Sequence, residues 1–137
     1  MKKVTLCIPL YNAEKTIRRT LESLLEQDYP IFKIKIFDNL STDRSKEICM
    51  EFANHYPFIE VYTNEKNLGA EGNFTKCIKS AEGDYCAIVH TDDLYEKNFL
   101  LKSIEVLENE ICSHANTILD KYLLLVEDLI KKKKDIN

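Results

Sequence analysis

The sequence lacks an excess of positive charge, and that absence removes a whole class of partner. Its 19 lysines and arginines stand against 23 acidic residues, a formal charge of −4, so no broad basic field is available to neutralise a phosphate backbone. Nucleic acid is not expected as a partner. No run approaches the roughly 18 apolar residues that would span a bilayer. Met1-Lys2-Lys3 followed by Val4 to Leu10 has the outline of a secretory signal, but Thr5 and Pro9 interrupt the apolar run. Glu14 and Lys15 then follow without a small-residue cleavage site. A first β-strand is the better reading, and a soluble, cytoplasmic protein the expectation. Cys-x-x-Cys pairs are absent too. Cys7, Cys49, Cys77, Cys86 and Cys112 are odd in number and mostly embedded in apolar patterns, where a thiol behaves as a small hydrophobe. His55, His90 and His114 are too scattered to complete a zinc site with them. There is no internal repeat, and the only low-complexity segment is the lysine run at 131–134.

What is present is a chain of 137 residues with 45% hydrophobic content, enough for one compact domain with a core of its own. Val4-Thr5-Leu6-Cys7-Ile8 is a nearly continuous apolar run, as expected of a strand covered on both faces, and it ends at Pro9. Asn12 is placed to cap a helix with Glu14 in its first turn and Ile17, Leu21, Leu24 and Leu25 at helical spacing, up to about Gln27. Tyr29-Pro30 breaks that helix, and Lys33 to Phe37 forms a second strand ending at Asp38-Asn39. Ser41 or Thr42 caps the next helix, with Asp43 in its first turn and Ile48, Cys49, Phe52 and Ala53 facing inward, until Pro57 closes it. Phe58 to Tyr62 is a third strand. The loop from Asn64 to Gly72 leads into a helix through Cys77, Ile78 and Ala81, which Gly83 ends. Tyr85 to Val89 is a fourth strand running into His90-Thr91-Asp92-Asp93.

This alternation predicts βαβ units with right-handed crossovers: an α/β fold with a mostly parallel, Rossmann-like central sheet and helices on both faces. Residues 1–110 form the domain in this reading. After a helix from Asn98 to Leu107, residues 111–137 form a C-terminal amphipathic helix whose apolar stripe runs from Ile118 to Ile130. That stripe needs a cover. The protein's own sheet or a second copy in a homodimer is favoured over a membrane surface aided by the lysines.

In sheets of this kind a ligand binds beyond the carboxyl ends of the strands. Tyr11-Asn12, Asp38-Asn39, Asn67-Leu68-Gly69 and Asp92-Asp93 all fall there, so four segments converge on one crevice. Adjacent carboxylates at a strand end suit Mg²⁺ or Mn²⁺, which take one or two carboxylates and complete their octahedron with phosphate oxygens and water. The bland alternative is that Asp92 caps a turn and Asp93 is merely solvated. Gly69 and Gly72 stand before a helix whose N–H groups can meet a diphosphate, or else serve turn geometry alone. Tyr11 offers an aromatic face to a base, or is a half-buried strand-end tyrosine.

The blocks Ile8-Pro9-Leu10-Tyr11-Asn12-Ala13-Glu14, Phe37-Asp38-Asn39-Leu40-Ser41-Thr42-Asp43, Asn67-Leu68-Gly69 with Gly72-Asn73, Glu82-Gly83-Asp84-Tyr85 and Thr91-Asp92-Asp93 resemble, in order and spacing, the inverting family 2 glycosyltransferases of the GT-A fold. The resemblance covers about residues 3 to 107. It implies a transferase that moves a sugar from a nucleoside-diphosphate sugar to an acceptor with metal assistance. Pro9, Tyr11 and Asn39 would line the nucleobase site, with Asn12, Gly69 and Asn73 in the surrounding nucleotide-sugar pocket. Asp92 would hold the ribose or share the ion, and Asp93 would bind the Mg²⁺ or Mn²⁺ bridging the phosphates. Two positions depart from the family pattern. Asn39 stands where a second Asp is common, keeping an oxygen for the N3–H of uracil but losing its charge, so uridine is favoured. His90 stands where another acidic residue is common.

The resemblance stops before the acceptor pocket and the Asp or Glu general base that family members carry, so the catalytic base is not identified in this chain. A non-catalytic nucleotide-sugar-binding module is the alternative reading. A receiver-type interaction domain ranks far behind, because the place where such domains need an acidic pair holds Pro9-Leu10-Tyr11.

Overall fold

A computed structural model describes residues 1–111; the expected C-terminal helix, with Cys112, His114 and the suggested homodimer contact, lies outside the described residues. Four strands, β1 (Val4–Leu10), β2 (Lys33–Asp38), β3 (Ile59–Thr63) and β4 (Tyr85–Ile88), alternate with α1 (Ile17–Leu25), α2 (Ser45–His55) and α3 (Gly69–Lys79). Then come α4 (Phe99–Val106) and one π-helical turn, Leu107–Ile111. The strands pair in the order β3-β2-β1-β4, all parallel, so the fold is α/β as the alternation predicts.

The topology follows from handedness. The sheet grows outward from β1 through β2 to β3, then returns to the far side of β1 for β4. Right-handed crossovers place α1 and α2 on one face and α3 on the other. The core is two-sided as a result: Leu6, Ile8, Leu10, Ile34 and Ile36 are fully buried, as are Ile17, Leu21 and Leu24 of α1. Cys7, Cys49, Cys77 and Cys86 are buried and carry free thiols. Burial pushes the Cys49 thiol up to about 12, which keeps it protonated and apolar in behaviour.

β1 continues through Pro9 to Leu10, two residues past the expected end. In a parallel strand successive residues bond to alternate neighbours. The Lys3 and Cys7 carbonyls accept N–H groups of Tyr85 and Val89 on the β4 side, while those of Val4 and Leu10 accept Phe32 and Asn39 on the β2 side. By that alternation Pro9 faces β4, whose pairing with β1 ends at Ile88. The missing proline N–H therefore costs no ladder bond, and β1 and β4 part at this point.

The first helix begins at Ile17, not beside Asn12, because Ala13–Thr16 form a turn in which the Ala13 carbonyl accepts both Thr16 and Ile17 N–H. In contrast, α3 begins earlier than expected, at Gly69, so the two glycines belong to its first turn. Gly72 is required there, since a Cβ would come within 2.8 Å of the Leu68 Cβ. Gly83 does not end α3, whose C-cap is Ser80. With φ +83°, it turns the chain into β4, where a Cβ would strike the Lys3 carbonyl at 2.9 Å.

Candidate functional site

The pairing of β1 with β4 ends where the strand order reverses, beyond the carboxyl ends of both strands, the usual ligand position in such sheets. On the β1 side Pro9 is half-buried and Tyr11, just past the strand, is 51% exposed. On the other, Asp92 and Asp93 are both exposed, and neither carboxylate has a hydrogen bond or ion pair among the described residues.

The loops after β1 and β2 are stitched to each other. Asn12 Oδ1 accepts the Thr42 N–H at 2.8 Å, its Nδ2 donates to Thr42 Oγ1 at 3.2 Å, and its own N–H reaches Ser41 Oγ at 3.0 Å. Asn12 thus caps no part of α1; its side chain holds the neighbouring loop. Glu14 and the 43–44 pair reciprocate, with Glu14 N–H on Asp43 Oδ2 at 3.1 Å and Arg44 N–H on Glu14 Oε2 at 3.0 Å. Burial opposes ionisation of Asp43, yet donors from Ser45 and Glu14 outweigh it and hold the carboxyl below its ordinary range. Its Oδ1 accepts the Ser45 N–H at 2.9 Å from one residue before the N-cap, Arg44, so neither Ser41 nor Thr42 caps α2 as expected.

Two residues in these loops, Asn12 (φ +45°) and Leu40 (φ +62°), occupy the left-handed region. Asparagine tolerates it; leucine does so at a cost of roughly 1–2 kcal/mol. Leu40→Gly is accordingly expected to be more stable than Leu40→Ala by roughly 1 kcal/mol, since both lose the same side chain and only glycine is relaxed there. Urea-unfolding midpoints compare the pair, and an alanine variant equal to the glycine variant would show the loop unstrained.

Behind these loops lies a network of four asparagines drawn from the residue after β2, the 64–68 loop and α3. Asn64 Nδ2 donates to Asn39 Oδ1 at 3.1 Å and to Asn73 Oδ1 at 3.0 Å, and Asn64 Oδ1 accepts Lys76 Nζ at 2.8 Å. Asn39 Nδ2 donates to Asn67 Oδ1 and the Gly69 carbonyl, and Asn73 Nδ2 to the Phe37 carbonyl. The resemblance implies that the Asn39 side-chain oxygen receives the N3–H of uracil; in this structure that oxygen accepts the Leu68 N–H at 2.8 Å and the Asn64 amide, using both lone pairs. Asn39 and Asn73 are 3% and 2% exposed, so both act as loop supports in this geometry. Gly69 likewise has its N–H taken by Asn67 Oδ1 at 2.8 Å, although its outer side is open.

The acidic lip is held from α1. The Thr20 hydroxyl lies 2.7 Å from the Asp93 carbonyl and 3.0 Å from that of Thr91. Ser23 Oγ accepts the Tyr95 N–H at 3.2 Å, and the Gln27 amide donates to the Glu96 carbonyl and accepts the Leu100 N–H. The Tyr95 hydroxyl accepts the His90 N–H at 3.0 Å; burial pushes that hydroxyl up to about 12, so it stays a neutral phenol. Neither the α1 residues Thr20 and Ser23 nor Gln27, just past the helix, stood out in the sequence. Their one signal is a row of polar residues at 20, 23 and 27, spaced for a single helical face otherwise apolar on its inner side.

Among the described residues no group of three or more His, Cys, Asp and Glu side chains could hold a metal ion unaided. Two exposed, unengaged carboxylates on adjacent residues nonetheless fit Mg²⁺ or Mn²⁺, ions that keep several waters and bind through one or two carboxylates plus substrate phosphates.

Three comparisons place this geometry among known proteins. The family model described as glycosyl transferase family 2 matches residues 5–122. The abequosyltransferase RfbV of Salmonella typhimurium is 34% identical over 119 residues, covering 85% of this chain and 34% of RfbV. A crystal structure of S. aureus TarS residues 1–349 in complex with UDP-GlcNAc superposes with a TM-score of 0.70 and 30% identity, over 77% of this chain and 31% of that one. The mannosyltransferase PcManGT from Pyrobaculum calidifontis, in complex with GDP-Man and Mn²⁺, shares the fold at a TM-score of 0.71 and 23% identity, over 78% of this chain and 32% of that one. The chain thus spans less than half the length of the relatives it matches.

Proposed function

Because the chain belongs to glycosyl transferase family 2, we propose that its crevice binds the nucleoside-diphosphate part of a sugar donor, probed first with UDP, and contributes the leaving-group half of a glycosyl transfer. The carrying observation is that an exposed aromatic face, Tyr11, and two exposed and unengaged carboxylates, Asp92 and Asp93, follow the carboxyl ends of two adjacent parallel strands, β1 and β4. An aromatic face stacks a base and the carboxylates stand where a diphosphate would lie. The complex of TarS with UDP-GlcNAc, at 30% identity, supports a uridine nucleotide.

Each residue has a definite task in this reading. Tyr11 and Pro9 provide the wall for the base. Asn12, Asn39, Gly69 and Asn73 set the loops that shape that wall. Asp92 accepts a ribose hydroxyl or shares the cation, and Asp93 binds the cation. A bound Mg²⁺ or Mn²⁺ would offset the charge that grows on the departing nucleoside diphosphate. With two carboxylates offered among the described residues, Asp92 and Asp93 would hold the cation only together with the phosphates of a bound nucleotide. The acceptor site and the general base belong to the part of the family pattern that these residues do not carry.

Thermal denaturation with UDP, GDP and dTDP, each with and without Mn²⁺, tests the assignment through ligand stabilisation. The expected result is an upward shift for UDP that requires Mn²⁺, larger than for the other two, and no comparable shift for Mn²⁺ alone. Absence of a metal-dependent shift with all three nucleotides would remove the site.

A further inference from the structure

α1 carries a hydroxyl where its packing calls for a methyl. Thr20 is 1% exposed, among Ile17, Leu21 and Leu24, and a buried hydroxyl without a partner costs about 1–3 kcal/mol on removal from water. Its proton is shared by the carbonyls of Thr91 and Asp93, at 3.0 and 2.7 Å. These carbonyls lie on the two residues that flank or belong to the acidic pair, so one side chain fixes the backbone on both sides of Asp92. No other side chain among the described residues is shown bonding to the backbone of residues 91–93. The adjoining bonds, Tyr95 hydroxyl to His90 N–H and Ser23 to Tyr95 N–H, hold the ends of the segment and leave its middle to Thr20.

We propose that Thr20 is a positioning residue for the cation: its hydroxyl sets the backbone of residues 91–93 and thereby the directions in which Asp92 and Asp93 present their carboxylates to a phosphate-bound divalent ion. The proposal rests on the nucleotide–metal reading given above. The physical ground is preorganisation. Two exposed carboxylates on a loose turn would have to be ordered when the ion arrives, whereas a turn already bonded to a rigid helix has that ordering built in. Partners one bond removed from a metal ligand typically alter metal affinity 10- to 100-fold. Threonine suits the task at the sequence level as well, because its β-branched side chain has few rotamers in a helix and can aim one hydroxyl in a fixed direction.

The test uses Thr20→Val, which keeps the shape and removes the hydroxyl, and Thr20→Ser, which keeps the hydroxyl. UDP affinity is measured with and without Mn²⁺, and the Mn²⁺ affinity of the UDP complex by paramagnetic resonance of the free ion. Expected for the valine variant is a loss of about tenfold in the Mn²⁺-dependent gain in UDP affinity. Its metal-free UDP affinity stays unchanged, and serine restores the gain to within about twofold of the parent. A valine variant that melts earlier yet keeps the full Mn²⁺-dependent gain overturns the proposal, since Thr20 would then support the fold alone. If valine prevents folding, Thr20→Cys, with its weak donor, carries the same two outcomes. A parent chain with no Mn²⁺-dependent gain for any nucleotide overturns the underlying reading and this proposal together; a parent gain retained in valine overturns only this one.

Discussion

Asp93→Asn is expected to bind UDP no more tightly with Mn²⁺ than without it, a loss on the order of a hundredfold in metal-supported affinity, about 2.7 kcal/mol. The substitution is close to isosteric and removes one of the two carboxylates proposed for the ion among the described residues. It leaves the fold alone for a specific reason: the Asp93 side chain is exposed, while its backbone carbonyl is the group that Thr20 holds. Unliganded stability is therefore expected to change by no more than about 0.5 kcal/mol. Isothermal titration with UDP in Mn²⁺ and in EDTA reads both affinities, and a melting curve reads the stability. A variant that kept its Mn²⁺ dependence would move the cation elsewhere in the crevice. Comparison with Thr20→Val separates direction from charge, because valine leaves both carboxylates in place.

Asn64→Leu is expected to cost the fold about 3–4 kcal/mol and roughly 10 °C in melting temperature. Asn64 is 2% exposed and serves three partners at once. Without it Asn73 Oδ1 loses its donor, Lys76 Nζ loses its acceptor, and Asn39 Oδ1 is left with the Leu68 N–H alone. Buried groups left unmatched cost about 1–3 kcal/mol each. Asn64→Asp makes the sharper comparison. It preserves the acceptor for Lys76 but sets a carboxylate oxygen against two amide oxygens, so it is expected to lose as much stability as leucine at pH 7. Full stability in the aspartate variant would mean that the network does not run in this direction. Nucleotide binding is expected to fall with it, because the loop from 64 to 69 supports the proposed base site.

The two substitutions mark the boundary of what the sequence made legible. Strands were readable because an apolar run such as Val4 to Ile8, closed by polar residues, has few other uses; the parallel order and the convergence of strand ends followed from alternation. The positions of the candidate site residues were readable too: Tyr11 directly follows β1, and the acidic pair begins four residues after β4. The helix starts were less so. Asn12 looked like a cap because capping depends on residue type, but its left-handed backbone sends the side chain to Thr42, and α1 starts five residues later. The role of Asn39 changed for a related reason: an amide offers the same oxygen to a base or to a neighbouring loop. The choice falls to Asn64 and Leu68, 25 and 29 residues away along the chain. Thr20 was silent because threonine in a helix reads as filler until its partner, more than 70 residues away, is in place.

Pro9 has a consequence for what the crevice can never become. A groove flanked by two parallel strands is a template: given donors on both sides, an extended peptide or a second molecule could add a strand there and seal the groove by backbone bonding alone. At Pro9 the donor on that side is absent, and the β4 chain leaves its ladder after the Val89 N–H bond to Cys7. The same ring that is proposed to wall the base site thus acts as a stopper against zippering.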